Sequence, residues 1–178
     1  APLAAPLHAA EEAPGMELTV VCPGTVLGPV LEEDFGTSAN LVIKALDGSV
    51  PALPRLGFSI VDVRSVADLH ILAMESPRAA GERFIATDAY LTFKEITGIL
   101  QKHFPDKKLP RRVLPDLAVR LFSNIDKTLK PVLVDLGSER RLPGNKAREW
   151  LGWEPIPAQE AILACAESAM ELGLVKGN

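Results

Sequence analysis

Ten residues constrain the fold of this chain more than any others: Val20-Val21-Cys22-Pro23-Gly24-Thr25-Val26-Leu27-Gly28-Pro29. An apolar strand runs into a Pro-Gly turn and then a Gly-Pro turn, so the backbone is expected to stop pairing and swing across the strand's end. In open α/β sheets, ligands sit in the crevice beyond the carboxyl ends of the strands. About thirty-five residues on, Phe58-Ser59-Ile60-Val61-Asp62-Val63-Arg64-Ser65-Val66-Ala67-Asp68 presents a second strand feeding a helix. Leu18, Val20, Val21 and Cys22 make Met16 to Cys22 a nearly continuous apolar run. That is the pattern of a central parallel strand covered on both faces.

The rest of the chain alternates in the same manner. Phe35 to Leu46 fits a short helix with Leu41, Ala45 and Ile43 or Leu46 inward, and Gly48 to Gly57, with Pro51 and Pro54, reads as a loop. Ser65 is expected to start the next helix as a capping-box variant with Asp68, followed by Val66, Leu69, Leu72 and Ala73 at helical spacing. Arg83 to Thr87 reads as a short strand. Thr92-Phe93-Lys94-Glu95 is a full capping box, opening a helix whose Phe93, Ile96, Leu100 and Phe104 share one face. A further helix after Pro115 turns Leu117 and Leu121 inward, and Leu133 to Leu136 reads as one more strand. Asn145 to Leu151 forms a helix closed by Gly152. Pro157 to Gly173 forms a longer one, with Ile162, Cys165, Ala169 and Leu172 on one side. The order is β-α-β-α-β-α-α, a mixed α/β chain without internal repeats.

Composition narrows the partners. With 178 residues, 47% hydrophobic content and a formal charge of −4, the chain has the size and balance of one globular domain. A mildly acidic chain offers no general electrostatic attraction to nucleic acid or to an anionic membrane. No apolar run approaches the roughly 20 residues that span a bilayer. Residues 1–15 are Ala/Pro-rich, without Lys or Arg, and are expected to be a weakly structured lead-in rather than a signal peptide. Cys22 and Cys165 are far apart and read as buried free thiols of a reducing, cytoplasmic compartment. Without CxxC or a Cys/His cluster, no metal site is expected. His70, one turn after Val66, reads as a packed or half-exposed side chain.

Four blocks in one order carry a resemblance. They are Pro23 to Pro29, Val61 to Asp68, Gly81-Glu82-Arg83-Phe84-Ile85, and Lys146-Ala147-Arg148-Glu149-Trp150-Leu151-Gly152-Trp153. From Met16 to Leu174 the chain resembles the carboxyl-terminal half of the extended short-chain dehydrogenase/reductase family, in its dihydroflavonol reductase-like and epimerase-dehydratase branch. Ser65 departs from the Asp that relatives commonly have there. The resemblance implies half of a Rossmann-like doubly wound parallel sheet with the smaller substrate-binding subdomain, residues 16–178 forming the substrate-binding portion. It further implies NADP or NAD as cofactor and a small-molecule carbonyl substrate. Pro23 and Gly24 would pass the nicotinamide ring, and Val26 would offer its backbone or side chain to the same region. Ser38, fifteen residues after Pro23, falls where the family has a hydroxyl for the cofactor's phosphate or ribose. A Thr37-Ser38 pair opening a helix suits an anion, and a plain helix N-cap is the other reading of Ser38. The loop Gly48 to Ser59, with Leu53, Leu56 and Phe58, is either a substrate lid or a surface loop.

The family's chemistry needs more than these residues. It requires a glycine-rich turn for the pyrophosphate and a Tyr-x-x-x-Lys pair, in which the Lys lowers the phenol's pKa. Neither a G-x-x-G-x-x-G nor a G-x-G-x-x-G occurs in this sequence. Tyr90 and Lys94 have the spacing, but Thr92 between them is a helix cap, so the two are expected not to share a helix face. No catalytic residue is therefore assigned. The leading expectation is the substrate-side portion of an NAD(P)-dependent ketone or aldehyde reductase, inert without a partner amino-terminal Rossmann half. The alternatives are a sugar-nucleotide epimerase or dehydratase portion, or a non-catalytic binding module. A central strand lacking neighbours on one side also predicts aggregation or a homodimer.

Overall fold

The computed structural model describes Gly15 and residues 17–33, 36–122 and 132–176. Most of the expected lead-in, along with Met16, Phe35 and the side chain of Leu121, lies outside the described residues.

The first strand, β1 (Val20–Pro23), pairs in parallel with β4 (Arg83–Ala86), Val20 opposite Arg83 and Pro23 opposite Ala86. After Gly24 the backbone does not leave the sheet, as expected, but pairs again at once. β2 (Thr25–Leu27) runs parallel to β3 (Gly57–Asp62), with Thr25 opposite Ile60. A fifth strand, β5 (Ala89–Thr92), lies antiparallel on the other side of β3, with Ser59 opposite Tyr90. The Pro23–Gly24 bend is thus the place where one run of chain passes from a two-stranded sheet to a three-stranded one.

Alternation along β3 distributes the core between two faces, because successive side chains point to opposite sides of a strand. Ile60 joins a cluster formed with helices α1 (Thr37–Leu46), α3 (Phe93–His103) and α7 (Ala158–Glu171), built on Val42, Leu46, Ile96, Leu100, Ile162 and Cys165. Its neighbour Val61 joins the opposite cluster, in which α2 (Val63–Glu75) and α6 (Asn145–Leu151) cover β1 and β4 with Leu69, Phe84, Ala147 and Trp153. The arrangement is α/β with both faces of the sheet covered, as the sequence led one to expect.

Four local assignments change. The cap of α2 is Asp62, whose carboxylate accepts from the Arg64 amide at 2.8 Å, not Ser65. Ser65 lies inside the helix, 1% exposed, and holds the chain after α6: its hydroxyl accepts from the Ile156 amide and its carbonyl from Trp153 Nε1, both at 2.8 Å. Residues 133–136 do not form a strand. Val132–Asp135 is a short helix, α5, following α4 (Asp116–Phe122). Leu53, expected in either a lid or a surface loop, is fully buried and bridged to Val113, with its amide donating to the Arg112 carbonyl and its carbonyl accepting from the Leu114 amide. Leu117 and Leu172 face outward rather than inward. The Thr92 box forms as expected, with the Glu95 amide donating to Thr92 Oγ1 and the Thr92 amide to Glu95 Oε2 at 2.7 Å. Gly152 closes α6 with a left-handed φ of 64°.

Candidate functional site

The bend at the carboxyl end of β1 is built by steric exclusion. A Cβ on Gly24 would fall inside the van der Waals envelope of the Ser59 carbonyl oxygen and 2.9 Å from Thr87 Cγ2. Only glycine lets the chain pass so close to β3. The Gly24 amide donates to the Ala86 carbonyl at 3.0 Å, which fixes the bend against the end of β4. Pro23 is exposed there, its ring free to face a ligand.

Downstream the chain is held equally firmly. Val26 pairs with Val61 and its side chain packs into the core cluster under α2, which leaves its backbone as the part available to a site. Gly28, at φ 129°, passes Val63 so closely that a Cβ would stand 2.9 Å from its Cγ1. The Val30 amide then donates to Ser168 Oγ on α7 at 2.8 Å.

Ser38 is not the cap of α1. Gly36 is, in extended conformation and with no side-chain cap bond, so Ser38 occupies the second position of the first turn. It is half-buried, and its hydroxyl has no partner among the described residues.

A third segment completes the surroundings of the bend. Ser59, buried in β3, donates its hydroxyl to the Arg140 carbonyl at 3.3 Å and accepts from the Leu142 amide at 3.1 Å. Thr87, just past β4, donates to the Leu142 carbonyl at 3.1 Å. Gly144 follows, where a Cβ would lie 2.6 Å from the Thr87 carbonyl oxygen. Two hydroxyls from the sheet therefore strap residues 140–144 across it, beside Gly24. Arg141 on this strap stands 5.0 Å from the centroid of the Tyr90 ring and pairs with Glu139. Burial raises the Tyr90 pKa above the usual phenol value. Tyr90 sits on β5 and Lys94, exposed, in the first turn of α3, so the pair does not share a helix face, as expected.

Sequence reasoning missed the strap. Lone hydroxyls carry no periodic signal, and their partners are 81 and 83 residues from Ser59 and 55 from Thr87. It also missed the clamp in which buried Asp62 receives Arg64 Nε and Nη2 at 2.9 and 2.7 Å. That clamp raises the Arg64 pKa, and the Asp-x-Arg spacing was its signal. Among the described residues no group of three or more metal-ligating side chains converges, and no helix is long and apolar enough to cross a membrane.

These features define a class: an α/β chain of Rossmann type, two of its parallel strands joined end to end by a glycine-dependent bend. The chain is similar over most of its length to members of the extended short-chain dehydrogenase/reductase family, in its epimerase-dehydratase branch. It is 34% identical over 160 residues to cinnamoyl-CoA reductase 1 of Petunia hybrida, matching 89% of this chain and 42% of that protein. It is 39% identical over 101 residues to cinnamoyl-CoA reductase 2 of Arabidopsis thaliana, matching 57% of this chain and 30% of that one. Among solved structures, a yeast methylglyoxal/isovaleraldehyde reductase complexed with NADPH superposes with TM-score 0.69 at 25% identity, over 94% of this chain and 47% of that one. A nucleoside-diphosphate-sugar epimerase from Pseudomonas aeruginosa superposes with TM-score 0.71 at 21% identity, over 94% and 54%, and shares the fold. The chain spans less than half the length of these curated relatives. No family model matches it.

Proposed function

We propose that this chain supplies the nicotinamide-side bend and the substrate wall of an NAD(P)-dependent reductase that converts a ketone or aldehyde to an alcohol. The observation that carries the reading is the bend itself: Pro23 exposed at the carboxyl end of a parallel strand pair, held there by a Gly24 that tolerates no side chain. On this reading Pro23 and Gly24 press against the nicotinamide end of the cofactor, Val26 borders it through its backbone, and the Ser38 hydroxyl donates to a phosphate or ribose oxygen. A hydroxyl without a partner among the described residues and a first turn whose cap Gly36 offers no side chain fit that last role. Bound there, the dinucleotide supplies the hydride. The chain's own residues position it and enclose the carbonyl, with Tyr90 and Arg141 on the strap side. The acid that protonates the oxygen and the cradle for the pyrophosphate are assigned to other polypeptide, an amino-terminal Rossmann half.

Two features support that division. β1 pairs with β4 on one side, and among the described residues its other edge has no strand partner. Beside it, α2 turns Val63, Ala67, Ile71 and Met74 to solvent at helical spacing, with Met74 87% exposed, a face suited to being covered. The chain alone is then catalytically inert and binds NADPH more weakly than micromolar. The test is a chimera with the nucleotide-binding half of the Petunia relative, assayed for carbonyl-dependent NADPH oxidation over a panel of small aldehydes and ketones. Turnover by the chimera and none by the chain is expected. A folded chimera that binds NADPH yet reduces nothing would overturn the reading, as would micromolar NADPH binding by the chain alone.

A further inference from the structure

The charge of this chain is unevenly spread. Of its 19 Lys and Arg and 23 Asp and Glu, residues 94–112 hold six cations and two carboxylates, leaving 13 cations against 21 carboxylates elsewhere. One carboxylate of the segment, Glu95, is engaged by Thr92. Lys94, Lys102, Lys107, Lys108, Arg111 and Arg112 form no ion pair among the described residues. An acidic protein thus concentrates a local excess of positive charge on one helix and the loop that follows it.

The same segment encloses a groove of about 260 Å³, with Lys94 and Arg111 among its lining residues and Gly98, Leu109 and Pro110 supplying apolar surface. The groove is preformed. Gln101 Nε2 donates to the carbonyls of Phe104, Pro105 and Lys107, which fixes the turn carrying the basic loop against α3. Leu109 is anchored in the core, and Thr97, donating to the Lys94 carbonyl, is buried below. Space above Gly98 is open, with no atom within 4 Å of where a Cβ would stand. Cations without protein partners around an apolar floor suit a ligand with a multiply charged anionic head and an apolar body.

We propose that this groove is a binding site for a small organic phosphate, its phosphoryl group held between Lys94 and Arg111 and its apolar part lying on Gly98, Leu109 and Pro110. The site is independent of the bend at Pro23, and it stands whether or not the chain serves a reductase. A guanidinium meets a phosphate in fork geometry, and the flexible Lys ammonium closes on it as a point charge. The lipid headgroup is the other source of the same phosphoryl chemistry.

The test titrates the whole chain with phenyl phosphate and with inorganic phosphate at low ionic strength, followed by amide chemical shifts. Saturable shifts at Lys94, Gly98 and Arg111 are expected, with phenyl phosphate the tighter of the two by several-fold. The double variant Lys94→Gln/Arg111→Gln is expected to weaken binding by about tenfold or more. Gly98→Leu keeps every cation, fills the groove where there is room, and is expected to remove the preference for the phenyl ester. Arg83→Gln, at the exposed start of β4, is expected to change nothing. Unchanged affinity in the double variant would overturn the proposal, and so would phenyl phosphate binding unaltered by Gly98→Leu, which would make the cations a solvated face. Sedimentation with phosphatidylserine vesicles that phenyl phosphate does not compete away would overturn it in favour of a membrane surface.

Discussion

At Gly24 a single methyl group decides whether the chain can bend. Gly24→Ala would set Cβ against the Ser59 carbonyl and Thr87, neither of them the end of a flexible side chain. Overpacking of this kind costs about 1–3 kcal/mol, so a lowered melting transition is expected, together with loss of the Gly24–Ala86 bond seen in amide exchange. Ser65→Ala tests a different kind of residue. It leaves the Ile156 amide without its acceptor in a half-buried place, and an unsatisfied group there costs about 1–3 kcal/mol, measurable in denaturant unfolding. Cys165 is inert for a related reason: burial pushes its thiol up to about 11, so in the native protein it is expected to resist thiol reagents at pH 8 and to react only on unfolding. Residues of this sort were half legible. Gly24 and Cys165 announced themselves by position. Ser65 has the spacing to Asp68 of a capping box, and only its packing against the chain at Trp153 and Ile156 shows that the helix starts earlier, with Asp62 as its cap.

Among the elements, those with long periodic patterns were the legible ones. α3 was readable to within a residue because its capping box and apolar face agree. The box gives α3 a pH dependence with a definite sign. Hydrogen bonds from Thr92 hold the Glu95 carboxyl below its usual value. Its contribution is therefore complete above the unfolded-state value near 4.5 and is lost as pH falls through the lower native one. Thr92→Ala is expected to cost about 1 kcal/mol at neutral pH and to flatten that acid-side decline in thermal melts recorded from pH 6 to pH 3. Two short strands and one short helix were not legible, although the equally short β4 was. β2 and β5, at three and four residues, owe their existence to β3. The apolar run at 133–136 cannot be told from a strand by periodicity alone, and its helical state is a tertiary outcome.

For the molecule as a whole, the apolar face of α2, beside a β1 edge with no strand partner among the described residues, is the dominant liability. Self-association of the isolated chain is expected in sedimentation velocity, relieved by Ile71→Glu and Met74→Lys, both on the exposed face. A monodisperse wild-type monomer with a cooperative melt would contradict this. The two-faced sheet and its parallel strands were readable from unbroken apolar runs. The strap of residues 140–144 was not, because it is extended chain fastened by single hydroxyls, Ser59 and Thr87, far away in sequence.

Ser59 touches Gly24 through its carbonyl and Leu142 through its hydroxyl, a tie that spans 83 residues. Closing so large a loop is entropically costly and happens late in folding. On a ribosome, then, the turn after β1 would emerge well ahead of Leu142 and stay unsupported until that residue had followed it out. Any nascent or clipped product ending before Leu142 would possess the sequence of the crevice without its shape.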